Sequence, residues 1–124
     1  MTYPKLTLQG TLATASLLTA CAQPLARPIT YTCTGGYTTI EASYPDANTA
    51  RLTLAGEDGT TKQNLTITRS ASGARYSNST TTPPKAGDLV WWTKGPEATL
   101  YIATPSETNT GTMEEKQIAV CTTP

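Results

Sequence analysis

In SASGARY, residues 70–76, two small hydroxyl residues and a glycine run directly into an arginine and a tyrosine. Ser72 before Gly73 faintly resembles a nucleophile set on a turn. A serine nucleophile needs a base to take its proton, and the chain has no histidine. The G-x-S-x-G pattern of a nucleophile elbow is absent as well. Hydrolysis of a sugar would need two carboxyl groups in contrasting surroundings. The acidic residues fall mostly in polar turn segments, and aromatics flank no pair of them. Histidine is also the commonest transition-metal ligand, and no two cysteines show the C-x-x-C spacing. No enzyme, metal site or cofactor is therefore expected. Nine basic and nine acidic residues cancel, so no basic surface invites nucleic acid. Ser72 and Gly73 are left with two readings, a simple turn in which the serine satisfies backbone groups or a loop presented to a partner. A second informative stretch, WWTKGPEATL at 91–100, sets Lys94 before Gly95 and Pro96.

The three cysteines carry a different chemistry. Residues 1–5, MTYPK, hold Lys5 and the α-amino group, and residues 6–20, LTLQGTLATASLLTA, are mostly apolar or small. That run is too short and weak for a membrane span and has the layout of a signal peptide. It ends in Leu18-Thr19-Ala20-Cys21, which resembles the lipobox of bacterial lipoproteins, whose cysteine is lipidated and becomes the first mature residue. The expected organisation is a signal peptide over 1–20, a lipidated tether over 21–28 (AQPLARP after Cys21) and one domain over 29–124. Ala22 follows the lipidation site and no aspartate retention signal is present, which favours the outer membrane, facing the periplasm. Cys33 and Cys121 remain. Export implies an oxidising compartment, so they are expected to pair.

The elements that must position these groups alternate with period two rather than cycling at helical period. Ile40, Ala42 and Tyr44 share a face, as do Ala50, Leu52 and Leu54, then Leu65 and Ile67, then Ala98, Leu100 and Ile102. Turn signals separate the runs: YPDAN, GEDG, PPKAGD, KGPE and TPSETNTG. Eight strands are predicted, over 29–34, 37–44, 50–55, 61–69, 73–79, 88–94, 97–103 and 117–122. Short strands and tight turns in about 100 residues point to an antiparallel barrel or sandwich. Cys33 falls on the first strand and Cys121 on the last, so a bond between them would pin the closing seam. A barrel of eight strands is filled by its own side chains, which leaves function to loops and the outer face. Trp91 and Trp92 point to opposite faces, so one of them is expected outside.

Ser72-Gly73-Ala74-Arg75-Tyr76, followed by Trp92-x-Lys94-Gly95-x-x-Ala98-x-Leu100, resembles the signature of the bacterial inhibitors of c-type lysozyme. That family comprises a membrane-bound lipoprotein form and a periplasmic relative. The resemblance extends to Tyr31-x-Cys33-x-x-Gly36, Ile40, Tyr44, Ala50-x-Leu52 and Cys121, nearly the whole predicted domain. It implies an all-β fold, a small eight-stranded antiparallel β-barrel with a disulfide between its ends. It implies a c-type lysozyme as partner, blocked by a loop that enters its active-site cleft. Ser72 would bond the lysozyme carboxylates and Lys94 would approach the same acidic centre from a neighbouring loop. Gly73 would let the tip enter without a Cβ clash. Arg75 has two roles open to it, touching the partner or bracing the loop against a carboxylate of its own domain. Tyr76 is read as part of the same binding stretch, with packing as its alternative role. The segment between Tyr76 and Trp92, SNSTTTPPKAGDLVW, is longer than the family pattern and should lengthen a hairpin, with a possible effect on the loop of Lys94. A second reading of the same features is an envelope lipoprotein barrel that binds another protein or a small ligand. No feature sets an oligomeric state.

Overall fold

A computed structural model describes Thr2 and residues 27–124. The expected signal peptide, the lipidation site Cys21 and most of the tether lie outside the described residues. Eight strands follow in order: β1 Ile29–Gly35, β2 Thr39–Asp46, β3 Thr49–Gly56, β4 Gly59–Thr68, β5 Ala74–Ser77, β6 Leu89–Lys94, β7 Glu97–Pro105 and β8 Met113–Thr122. Each pairs antiparallel with its neighbours, and β1 pairs with β8, so the sheet closes into a barrel with no free edge. The predicted fold class is the observed one.

The period-two runs become the inner wall. Ile40, Ala42, Ala50, Leu52, Leu54, Leu65, Ala98 and Leu100 are all buried. With no phenylalanine in the chain, Trp91 fills the centre and is fully buried. Tyr31 meets it edge to face, with ring centroids 5.1 Å apart, the arrangement that sets a positive ring edge against a negative face. The Trp91 indole N–H donates to the Tyr44 hydroxyl at 3.0 Å, and the Tyr44 and Tyr76 rings lie 5.5 Å apart. Burial pushes the Tyr44 phenol far above its ordinary pKa, against the opposing pull of the Trp91 hydrogen bond. Small alanines opposite large rings and leucines let the layers interdigitate.

Cys33 and Cys121 are bonded to each other. They are also direct register partners on β1 and β8. The bond therefore pins the first strand to the last and joins residues 88 positions apart. Closing a loop of that length stabilises the chain by about 4–5 kcal/mol on the chain-entropy account.

The ends of the strands depart from expectation in ways that have local causes. β4 starts at Gly59 rather than 61, because Glu57 and Asp58 alone form the turn and Gly56 pairs with Gly59. β8 starts at Met113 rather than 117. Its first residues, MEEK, pair with Ile102–Pro105 of β7 and are mostly exposed, so they carry no alternating signal. A bulge near Leu100 and Tyr101 separates that stretch from the barrel wall. Ile67 shares parity with Leu65 but is 40% exposed. It sits near the end of β4 opposite Tyr76, where the barrel opens and no further layer covers it.

Up-and-down connectivity sorts the connections to two ends. The upper end carries residues 27–28, the β2–β3 turn, the loop 69–73, the β6–β7 turn and the C-terminal residues. The lower end carries the β1–β2 and β3–β4 turns and the longer loops 78–88 and 106–112. Loop 78–88, the segment expected to lengthen a hairpin, is ordered by its own bonds. Its Gly87 N–H donates to Ala103 O at 2.9 Å, and Asp88 O accepts from Ala103 N–H at 2.8 Å. It folds against the outer wall beside Val90 and Ala103, both of them buried. Val90 and Trp91 are consecutive and both covered for this reason: one faces the core, the other the loop.

Candidate functional site

Loop 69–73 and the β6–β7 turn meet at the upper end because β5 and β6 are paired, Ala74 with Thr93 and Arg75 with Trp92. Their approach is close. Gly73 has φ +67°, a left-handed conformation natural to glycine. A Cβ built there would lie 2.8 Å from Lys94 Cγ and 3.1 Å from Trp92 Nε1, and closer still to the Thr93 carbonyl oxygen. The glycine thus has a reason within the chain: it seats the loop against β6 with no side chain between them.

The loop is held by its backbone rather than by the Ser72 side chain. The Ser70 hydroxyl donates to Ser72 O at 2.6 Å, and the Trp92 indole N–H donates to the same oxygen at 2.8 Å. Ser72 is exposed. Its hydroxyl has no hydrogen-bond partner among the described residues, so its donor and acceptor capacity remains available. Lys94 is also exposed. Its Nζ lies 4.2 Å from the centroid of the Trp92 ring and pairs with no carboxylate among the described residues. A cation over an aromatic face is held by the ring quadrupole, worth about 0.5–1 kcal/mol at an exposed site.

Ser72, Gly73 and Lys94 therefore stand together at one end of the barrel. Arg75 and Tyr76 are placed elsewhere. Arg75 reaches along the outer wall and forms an ion pair with Glu115 of β8. The pair borders a groove of about 260 Å³ beside loop 78–88. Of the two roles open to Arg75, bracing within its own domain is the contact the structure contains. Tyr76 points inward, is 6% exposed and packs on Tyr44. Burial raises the Tyr76 phenol pKa, with smaller contributions from Tyr44 and Asp46. A buried ring offers no surface to a partner, so Tyr76 supports the site from beneath. Loop 78–88 is rooted at the end of β6 away from Lys94, and its bonds run to Leu89 of β6 and Ala103 of β7.

Trp92 and Glu115 hold these residues in place. Trp92 is half-buried on the outer wall and touches both the loop and the lysine. Its position two residues before Lys94, on the same face of β6, is the one signal in the sequence. Glu115 has no such signal, since its pairing with Arg75 joins strands that are not neighbours. Where loop 69–73 meets the β6–β7 turn, the Ser72 hydroxyl and the Lys94 ammonium are both exposed, and Glu97 is the register partner of Lys94 on the same turn.

A family model described as membrane-bound lysozyme-inhibitor of c-type lysozyme matches residues 31–108. The match runs from β1 to just beyond β7 and includes Ser72, Gly73 and Lys94. Comparison with curated proteins and with solved structures returned no match. The chain belongs to the family of membrane-bound inhibitors of c-type lysozyme.

Proposed function

We propose that this member of the family inhibits a c-type lysozyme by inserting its upper end into the enzyme's active-site cleft. The observation that carries the reading is the close approach of the Ser72 loop and Lys94 at Gly73, with the Ser72 hydroxyl unpaired and the Lys94 ammonium free of any carboxylate among the described residues, held over the Trp92 ring. A c-type lysozyme works with one protonated and one ionised carboxyl group in one cleft. A hydroxyl suits such a mixed pair, because it accepts from the acid and donates to the carboxylate. The ammonium adds a charge-assisted bond to the ionised group. Gly73 and the narrow loop around it carry these groups in without bulk. No group of the inhibitor takes part in bond breaking, so the effect is occupancy of the cleft.

The same reading places the protein in the cell envelope, held by lipid on Cys21 at the outer membrane and facing the periplasm, with the barrel domain at 29–124. It would shield peptidoglycan from host lysozyme there. The supports are the family match and the lipobox-like Leu18-Thr19-Ala20-Cys21.

The test is the inhibition constant of Ser72→Ala, Lys94→Ala and the double variant against a c-type lysozyme. Ser72→Ala removes hydrogen bonds to a partly buried carboxyl pair and should cost about 1–3 kcal/mol. Lys94→Ala should cost about 2–5 kcal/mol where its partner is desolvated. The double variant should lose less than the sum of the two single losses, since both groups serve one acidic site. Lys62→Ala, on the exposed wall of β4, should change nothing. A stably folded double variant that inhibits as well as the parent would overturn the assignment of the upper end.

A further inference from the structure

Trp92 touches both halves of the upper end at once. Its indole N–H donates to the Ser72 carbonyl at 2.8 Å. Its ring lies 4.2 Å from Lys94 Nζ. Its backbone is fixed within β6, paired to Arg75 on one side and to Thr99 on the other. Tyr101 stands 6.5 Å away, its ring tilted by 40° to the indole. The core gains nothing from this side chain, because Trp91 fills it from the opposite face of the same strand.

From these contacts we propose that Trp92 is a positioning residue, which sets the Ser72 loop and the Lys94 ammonium in one mutual geometry before the partner arrives. The inference rests on the inhibitory reading and deepens it. A Ser-Gly loop and a four-carbon lysine stem each sample many conformers when unrestrained, and ordering them on binding weakens affinity. The indole removes part of that freedom in advance. It does so without consuming what the partner needs. The hydrogen bond uses the Ser72 carbonyl and leaves the hydroxyl free. The ring holds the ammonium by its charge and leaves all three N–H donors free for carboxylates.

Trp92→Phe keeps an aromatic ring under the lysine and deletes the indole donor. Trp92→Ala deletes both. Inhibition of a c-type lysozyme should weaken roughly 3–10-fold in Trp92→Phe, as for the loss of one hydrogen bond, and by more in Trp92→Ala. The Tm of Trp92→Phe should fall by no more than the roughly 4–8 °C that one lost hydrogen bond represents in a domain of this size, since the buried core is untouched. Two readouts separate positioning from general support. In the free protein, amide hydrogen exchange over residues 70–73 should quicken in Trp92→Phe while the barrel amides keep their protection. In the inhibition assay, Ser72→Ala should cost several-fold less in the Trp92→Phe background than in the parent, because a loosened hydroxyl contributes less. Unchanged exchange over 70–73, or effects of the two substitutions that simply multiply, would overturn the proposal. The exchange measurement needs no lysozyme. Failure of the inhibitory reading would show as an inactive parent, whereas failure of the clamp would show as unchanged exchange.

Discussion

Gly73→Ala is the most demanding test of how the upper end is built. The new methyl would lie less than 3.0 Å from the Thr93 carbonyl oxygen, a backbone atom that cannot turn aside. It would also press on Lys94 Cγ at 2.8 Å. Restoring ordinary contact requires the loop to lift from β6 by a distance on the order of 1 Å. A shift of that size stretches the 2.8 Å bond from the Trp92 indole to Ser72 O beyond useful range. Losing it costs about 1 kcal/mol. Holding alanine at φ +67° adds about 1–2 kcal/mol. The sum, about 2–3 kcal/mol, should lower the Tm by roughly 8–24 °C for a domain of this size. Gly95→Ala is the matched control. Gly95 also has positive φ, +53°, but no heavy atom lies within 4 Å of a Cβ there, so it should show the backbone cost alone. Denaturant unfolding of both variants, beside inhibition of a c-type lysozyme by the folded protein, reads the two consequences. Gly73→Ala should be the less stable of the pair and should lose at least tenfold in inhibition, as Ser72 is carried out of place. Equal stability of the two variants would refute the close-approach argument. An unchanged inhibition constant in folded Gly73→Ala would refute the link from loop seating to Ser72.

Other outcomes follow from single features. Reduction of the Cys33–Cys121 bond should lower stability by about 2–5 kcal/mol; two free thiols found by alkylation and mass measurement in exported protein would contradict the pairing. Cys21→Ser should abolish incorporation of a palmitate analogue, and label that persists would refute the lipobox reading. The raised pKa of Tyr44 and Tyr76 gives a sign for alkaline unfolding. Burial favours the neutral phenol, so the contribution is complete below about pH 10, the unfolded value. Above it the unfolded chain ionises first and stability falls. The Tm should therefore decline above about pH 10, and a profile flat to higher pH would be the contrary result. Glu115→Gln removes the partner of a half-exposed Arg75 and should cost no more than about 1 kcal/mol in urea unfolding.

Much of this protein is written locally in its sequence. Strict alternation at 40–44, 50–54 and 98–100 specifies strands with one buried face, because successive side chains of a strand point to opposite sides. Two cysteines near the ends of the predicted domain anticipated their bond. Ser72-Gly73 and Lys94-Gly95 read locally only as turns, and the resemblance to the inhibitor family singled them out. Where a stretch is polar on both faces the signal fails, so the MEEK start of β8 was missed. Val90 is buried for a reason no local pattern records, since loop 78–88 covers it on the outer side of the barrel. Other relations exist only in the closed barrel. Ser72 and Lys94 become neighbours because β5 and β6 pair in one register, which brings their connections to the same end. The bond from Trp92 to the Ser72 carbonyl joins residues 20 apart, and that from Arg75 to Glu115 joins residues 40 apart. Such contacts depend on register, tilt and curvature summed over the whole sheet. A pattern of period two records which way each side chain faces, and says nothing of what stands opposite.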